Sequence, residues 1–535
     1  MASNRPVGIA VASAIYLVSL AAAHAAGFRM RIPYEFYQLA DARLLLEHPF
    51  ESLWLLHGQP PGLNLLFFVV LWLGDRLGVA PESVATVIFA AVGWGTCLVL
   101  YDLAADLAGS RILGWLAVLV LVAGPGFHVY RNLFFYPFPL ELMLLLAAWL
   151  SLRWLRSGGT GGLLWVAAAL ASVCLTRTLY HPAWAVLYFA GLLCLRARIA
   201  GAHRKALVRA EARSWAIGSG ALLLMLAAWP MKNELVFGRF LYSSWDGLNL
   251  HAGLPIAGNE DLESVLRGGA VSPGMQARLE ELTRDRSEVG RALLLNTKKS
   301  DGSPNWNHLA FLLTDQDLAR RSMAWRFEHP GAWTARAVAQ YFMWARPPWW
   351  QPYTQKDLGP ENGAYRAWAW FWEAVPYHDV RPLVERVMPI EAVHREAQVR
   401  KKPVPYTLWG AAIFPAVLIA AGWLAFDGLR RRSAVAAAAA LAAYCVLWNL
   451  AVPAATYGPE SNRMRVGVVP LFLLICAWVA GGMWAKRGSF RRFFPRGILG
   501  PGGRSMRTVL VALLVLPSFA AAQGRVLVVD DGGGG

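Results

Sequence analysis

Between Pro33 and Gly62 the chain reads PYEFYQLADARLLLEHPFESLWLLHGQPPG, and this stretch carries Glu35, Asp41, Glu47, His48, Glu51 and His57 inside an otherwise apolar part of the sequence. Ionisable groups are costly in such a chain, so the places where they interrupt the apolar pattern are where chemistry is sought. A carboxylate here can take the proton of an attacking hydroxyl. Glu35 is the first candidate for that base and Asp41 the second. Six positions separate them, so on one helix they point to different sides and only one faces a shared cavity. As ordinary solvated loop acids, both would be without a role.

Candidate cations are spread further along. Arg463 and Arg465 open an apolar segment, Arg177 and His181 flank a short turn between two such segments, and Arg131 and Lys232 are similarly placed. The planar guanidinium binds phosphate oxygens in pairs, which suits a lipid phosphate at a membrane surface. Each of these cations would equally be explained by snorkelling to the interface. Glu141 falls within an apolar stretch, about 7 Å along a helix from Tyr136. A carboxylate inside a membrane is a functional candidate, and pairing with Arg131 or another cation explains it as well. Glu460 precedes Arg463 by three residues and could simply orient it. His57, beside Pro60-Pro61, either lines an acceptor pocket or caps the helix that follows. The run Arg346-Pro347-Pro348-Trp349-Trp350 reads as an interfacial aromatic belt, with a sugar-stacking platform as the alternative.

What must position these groups is a membrane protein. The chain of 535 residues is 56% hydrophobic and 16% charged, with 25 Trp, and its mean hydropathy is +0.38. This is too apolar for a soluble globular chain. The net charge of +17 falls largely in short runs beside apolar segments, which fits cytoplasmic loops and anionic lipid and excludes nucleic acid as the partner. Cys97, Cys174, Cys194, Cys445 and Cys476 lie in apolar stretches without paired ligand spacing, so neither disulfides nor zinc are implied.

Apolar segments run at about 7–26, 61–79, 83–103, 111–127, 134–152, 162–179, 181–197, 213–232, 405–427, 433–453, 463–485 and 507–523. Basic loops at 196–213, 430–432 and 486–496 should share the cytoplasmic face. They do so only if one early segment fails to cross. The weakest is 61–79, which opens with Pro60-Pro61-Gly62 and contains Asp75 and Arg76; it is expected as a re-entrant or interfacial helix. The fold expected is therefore an all-α polytopic membrane protein of about eleven spans. Its parts are an N-terminal module over 1–232 of about seven spans, an extracytoplasmic region over 233–404, and a C-terminal module over 405–535 of about four. Helical pieces are expected near 275–295, 317–328 and 331–345. The first segment, with Arg5 and Ala23-His24-Ala25, also fits a cleavable signal peptide, and this alternative stays open.

The order of these stretches resembles the GT-C superfamily of integral-membrane glycosyltransferases, which includes the protein O-mannosyltransferases and the lipid A aminoarabinose transferases. The likeness rests on Glu35 in YEFYQLADARLLLEHP, then His57-Gly58-Gln59-Pro60-Pro61-Gly62, YRNLFFYPFPLELMLLLAAWL at 130–150, TRTLYHPAW at 176–184, WPMKNELVFGRFLYSSWDGLNL at 229–250 and GPESNRMRVGVVPLFLL at 458–474. Two departures stand out. Glu35 occupies the place where the family usually has Asp, and the second outside loop reads His128-Val129-Tyr130-Arg131-Asn132 where another acid is common. A metal bridging these loops is thus unsupported, and no cofactor is assigned.

The resemblance implies transfer of a monosaccharide from a polyprenyl-phosphate carrier to a hydroxyl of a cell-envelope lipid, glycan or protein. The transfer would invert the anomeric centre and take place on the extracytoplasmic face of a bacterial plasma membrane. Glu35 or Asp41 would serve as the base. Arg463, Arg465, Arg177, His181, Arg131, Lys232, His57, Glu141 and Glu460 would bind the substrates. The alternatives are a transporter or flippase of lipid-linked sugars, a ligase using a diphosphate-linked donor, and a non-catalytic assembly scaffold. Against a transporter stands the lack of two similar halves with matching broken helices.

Overall fold

A computed structural model describes residues 5–251, 254–345, 408–456 and 465–485. It is all-helical. Among the described residues there is no β-strand, only isolated bridges from Arg31 to Leu133 and from Lys298 to Pro304. In chain order the helices are α1 (Arg5–Ala25), α2 (Ala42–Glu47), α3 (Pro49–Trp54), α4 (Gly62–Leu77), α5 (Pro81–Ala108), α6 (Arg111–Ala123) and α7 (Pro125–Arg131). Then follow α8 (Pro137–Ser157), α9 (Thr160–Thr176), α10 (Pro182–Ile199) and α11 (Arg204–Phe237). The polar region contributes α12 (Asp246–His251), α13 (Glu260–Leu266), α14 (Pro273–Thr283), α15 (Glu288–Leu295), α16 (Leu309–Glu328) and α17 (Pro330–Ala345). The last three are α18 (Leu408–Arg430), α19 (Ala434–Thr456) and, after a 3₁₀ turn at Arg465–Val468, α20 (Val469–Ala485).

Eight helices among the described residues are long and apolar enough to cross a membrane, and α6 and α9 are shorter apolar helices. Their outward side chains are greasy. Trp94, Trp165, Leu224, Ile419 and Trp423 are all exposed, as expected of side chains that meet acyl chains. The chain is thus a multi-pass membrane protein. Proline sets many of the helix starts: Pro81, Pro137 and Pro182 stand in the first turns of α5, α8 and α10, where a missing N–H costs nothing.

The boundaries differ from expectation notably in two places, while the segment at 61–79 keeps its bounds closely. The segment expected at 111–127 breaks at Gly124, which is extended at φ −71 and ψ 126, because Pro125 behind it disfavours helical conformation in the residue before it. Its tail becomes the separate short helix α7. Helix α11 runs past position 232 to Phe237 and carries Pro230 inside it, so the polar region begins only at the Gly238 cap, φ 65. The segment at 61–79 forms α4, which buries Leu63, Asn64, Phe67, Val70 and Leu71 and leaves Leu65 and Trp72 exposed. The segments expected at 507–523 and the basic loop at 486–496 lie outside the described residues.

One large apolar core runs through the bundle, with α5 and α8 at its centre: α5 packs on α1, α6, α8 and α20, and α8 on α9 and α19. The polar region has two small cores of its own. One joins Met275, Leu279, Leu293, Leu294, Leu309 and Leu312 to Leu55 of the first loop. The other gathers Trp245, Leu262, Val265, Ala310, Phe311 and Leu318. Its end, α17, returns to the bundle and packs on α18 and α19.

Between α12 and α16 two carboxyls sit close together. Gly247 N–H donates to Asp315 Oδ1 at 2.6 Å, and Cα of Gly247 lies so near the Asp315 carbonyl that a Cβ there would approach its oxygen to 2.0 Å. Burial, reinforced by the neighbouring Asp315 carboxylate, raises Asp246 from 3.8 to about 8, and burial raises Asp315 to about 6. Both shifts favour the protonated form in the fold. Their contribution is therefore fully present below about pH 4 and is lost as pH rises through about 8. The melting temperature should fall between pH 5 and pH 8.5, and Asp246→Asn should flatten that dependence; an identical slope in the variant would contradict this reading.

Candidate active site

Chain direction places one set of loops at a common end of the bundle. There α1, α6, α9, α11 and α19 finish and α5, α8, α10 and α20 begin. Arg31, Glu35, Arg131, Arg177, His181, Lys232 and Arg465 all belong to this end.

The loop that carries Glu35 has little secondary structure of its own and borrows its hydrogen bonds. At its start it is zipped to the loop before α8: Arg31 N–H donates to Asn132 O at 2.9 Å and Phe134 N–H to Arg31 O at 2.9 Å. Phe36 then meets Phe135 edge-on, ring centroids 5.4 Å apart. Further on, Lys299 enters from the polar region. Its Nζ donates to the carbonyls of Tyr34 at 2.5 Å, Phe36 at 3.2 Å and Leu39 at 3.4 Å, which uses all three donors of the ammonium. Burial lowers the Lys299 pKa, while Asp301, Asp41 and Glu35 act in the opposite sense. Glu35 itself is half exposed and accepts from Arg31 Nη2 at 2.5 Å, four residues back.

Asp41 has a different task. Its Oδ1 accepts from the backbone of Arg43 at 3.0 Å and Leu44 at 3.1 Å, capping α2, and its Oδ2 accepts from the Ser300 backbone at 2.6 Å and hydroxyl at 2.7 Å. Both oxygens are committed to holding the loop, and the geometry gives Asp41 the work of a cap where the sequence offered it as a base. Beside it lies a small polar cavity of about 170 Å³, lined in part by Asn296, Lys298 and Ser300.

The HGQPPG turn is clamped rather than open. Asn307 Oδ1 accepts from the backbone of His57 at 2.9 Å and Gly58 at 3.1 Å, and Asn307 Nδ2 donates to Leu55 O at 3.1 Å. Ser243 Oγ donates to Gly58 O at 2.6 Å, and the His57 ring is hydrogen-bonded to Ser244 Oγ at 2.8 Å. His57 is fully buried, and desolvation together with the Lys232 charge pushes it down to about 3. It is neutral and out of reach, so neither an acceptor-lining role nor simple capping describes it; it is a structural pin. Lys232 is buried too, donating to Leu56 O at 2.5 Å with its ammonium 3.8 Å from the Trp229 ring centre. Arg131 lies buried below the loop, bonded to Asn132 Oδ1 at 3.2 Å and to Tyr16. Glu141 is buried in α8 beside Cys97 of α5, and among the described residues no cation pairs with its carboxyl.

Arg177 and Arg465 are buried as well, 4% and 6% exposed, and each lies against aromatic rings. The Arg177 guanidinium lies 3.9 Å from the Tyr136 ring centre. Arg465 lies 5.1 Å from Phe414 and 5.7 Å from Trp344. Trp344 Nε1 donates to Asn449 Oδ1 at 3.0 Å, and Asn449 Nδ2 donates to Tyr180 Oη at 3.0 Å, three residues from Arg177. Contacts therefore run from Arg465 to Tyr180, whose backbone N–H donates to Arg177 O at 3.1 Å. His181, exposed, caps α10 through Nδ1 at 3.3 Å from Ala183 N. Glu460, Arg463 and the Trp run at 349–350 lie outside the described residues.

Several of these positioning groups escaped the sequence reading. Arg31 was legible as the i,i+4 partner of Glu35, whereas Lys299, Asn307 and Trp344 act across long sequence separations and leave no local signal. Among the described residues, no group of three or more His, Cys, Asp or Glu converges to hold a metal.

No family model matches the chain, and no curated protein matches it significantly. Among solved structures it is similar to the archaeal oligosaccharyltransferase AglB from Archaeoglobus fulgidus in complex with an inhibitory peptide and a dolichol-phosphate, at TM-score 0.40 and 11% identity over 96% of this chain and 55% of that one. It is also similar to the Archaeoglobus fulgidus oligosaccharyltransferase tethered to an acceptor peptide containing the NVT sequon, at TM-score 0.41 and 12% identity over 96% of this chain and 54% of that one. The chain spans about half the length of these proteins. At such scores the likeness assigns no residue a role.

Asn307→Ala would leave the His57 and Gly58 amides without their acceptor, at about 1–3 kcal/mol for each buried donor. Thermal unfolding in detergent should show a clear drop in melting temperature, and an unchanged value would contradict the clamp.

Proposed function

We propose that the chain is a membrane glycosyltransferase of the GT-C type, moving a sugar from a lipid-phosphate carrier to an acceptor hydroxyl. The observation that carries the reading is the placement of Glu35. The loop bearing this half-exposed carboxylate is pinned by Arg31 to residues 132–134, directly before Tyr136, on whose ring Arg177 rests. A carboxylate and an arginine thus share one end of the bundle, which supports reading them as base and phosphate ligand.

In this reading Glu35 takes the acceptor proton while the hydroxyl oxygen bonds to the anomeric carbon and the carrier phosphate leaves with the electron pair of the broken bond. Arg31 orients the carboxylate. Arg177 and Arg465 meet the charge that develops on the leaving phosphate, held in place by their rings before the donor arrives. Direct displacement by one base gives inversion. A polyprenyl-phosphate monosaccharide is the donor, and a cell-envelope lipid, glycan or protein is the acceptor. In this reading the membrane is a bacterial plasma membrane, and the basic loops at 196–213 and 430–432, at the other end, support a site on the extracytoplasmic face.

Purified protein in nanodiscs should release polyprenyl phosphate from a matching labelled polyprenyl-phosphate sugar. Glu35→Gln should slow release by about 10²–10⁴-fold with donor binding retained. Arg177→Lys keeps the charge but loses the fork, and should weaken the rate more than an exposed control such as Arg209→Lys. Full activity in Glu35→Gln would remove Glu35 as the base, and uptake of intact donor without cleavage would favour transport.

A further inference from the structure

A small cavity lies where the polar region meets the first loop. The chain after α15 folds back on itself there. Asn305 N–H donates to Thr297 O at 2.8 Å and Lys299 N–H to Ser303 O at 2.8 Å. Gly302, in the left-handed region at φ 81, closes the turn with its N–H on Lys299 O at 2.9 Å. Facing this turn are α2 and α3, tied to it by Asp41, whose Oδ2 accepts from the backbone and hydroxyl of Ser300. Between them lies the cavity of about 170 Å³. Hydrogen bonds within the protein hold both walls, so the shape is formed before a ligand arrives.

Its lining has hydrogen-bonding capacity to spare. Asn307 spends one side-chain N–H on Leu55 O and keeps the other. Asn305 gives its two N–H groups to Leu293 O and Asn296 O, and its Oδ1 accepts from Asn307 N–H with a second lone pair left over. The hydroxyls of Ser52 and Ser300 donate to Leu44 O and Asp41 Oδ2, which leaves them as acceptors. Asn296 and Lys298 are exposed, and among the described residues their side chains have no hydrogen-bond partner. Leu44, Leu56 and Leu293 supply an apolar part of the wall.

Donors and acceptors together, beside an apolar patch, match a sugar ring, whose hydroxyls both donate and accept and whose C–H groups are apolar. A phosphate would leave the acceptors unused, and an apolar ligand would strand both kinds of group. Cavities for larger ligands run upward from about 300 Å³, so this one takes a single ring. We infer that it seats one pyranose residue of a glycan, bound by Asn296, Lys298, Asn305 and Asn307. Ala40 and Asp41 line the same cavity, and Lys299, also in its lining, reaches the carbonyls of Tyr34 and Phe36 on either side of Glu35. A glycan seated there lies against the loop that presents Glu35. The acceptor is therefore a glycan and the cavity its recognition subsite, an assignment that rests on the transfer proposed for Glu35, whereas sugar binding itself does not.

Saturation-transfer difference NMR on the full chain in nanodiscs tests this, with the methyl pyranosides of glucose, mannose and N-acetylglucosamine as probes and acetyl-Gly-Gly-Gly amide as the peptide comparison. At least one glycoside should receive saturation. The signal should be lost in Asn296→Ala/Lys298→Ala, with the melting temperature unchanged, and kept in Arg278→Ala, at an exposed position on α14. If the double variant does not fold, Asn296→Ala alone takes its place and should weaken the signal. No saturation of any glycoside, equal saturation in the variant, or stronger saturation of the peptide would overturn the inference. Release of polyprenyl phosphate from the labelled donor is followed on the same preparation. Release without glycoside binding removes the subsite alone; glycoside binding without release removes the transfer, and the acceptor assignment with it, and leaves the sugar site standing.

Discussion

Three carbonyls of one loop converge on a single buried ammonium, and much of the candidate site depends on that arrangement. The chain from Pro33 to Gly62 has short helices and long stretches between them, so many of its backbone groups cannot bond to one another. Buried polar backbone groups must nevertheless be paired. Lys299 satisfies Tyr34, Phe36 and Leu39, while Asn307 satisfies the amides of His57 and Gly58 and the carbonyl of Leu55. The polar region is in this sense the mould of the first loop.

That division of labour explains why so many ionisable groups near the site are not part of its chemistry. A buried cation or histidine is affordable where it closes several hydrogen bonds at once, and His57, Lys232 and Lys299 are all spent in this way. The same end of the bundle also holds a half-exposed acid with its arginine, and two buried guanidiniums lying on rings.

The membrane helices were legible because apolar runs of near-spanning length and the prolines that open them are local signals. Segment ends were less so: the apolar composition at 111–127 continues across Gly124-Pro125 although the helix does not. Asp41 carried a readable cap signature, an acid directly before the helical run Ala42–Glu47, yet acidity alone drew it into the list of bases. The burial of His57 and Lys232 was not readable, since their partners at Ser244, Asn307 and Leu56 lie far away in the chain. Local pattern yields elements; the pairing of distant polar groups is set only when those elements pack.

The central claim is that donor phosphate and acceptor base meet at the end of the bundle where Glu35 and Arg177 lie. The most direct measurement is a structure in nanodiscs with a non-cleavable polyprenyl-phosphonate sugar. The account predicts the phosphonate against Arg177 and Arg465, with the anomeric carbon turned towards Glu35. A headgroup bound elsewhere, with the Glu35 loop untouched, would contradict it.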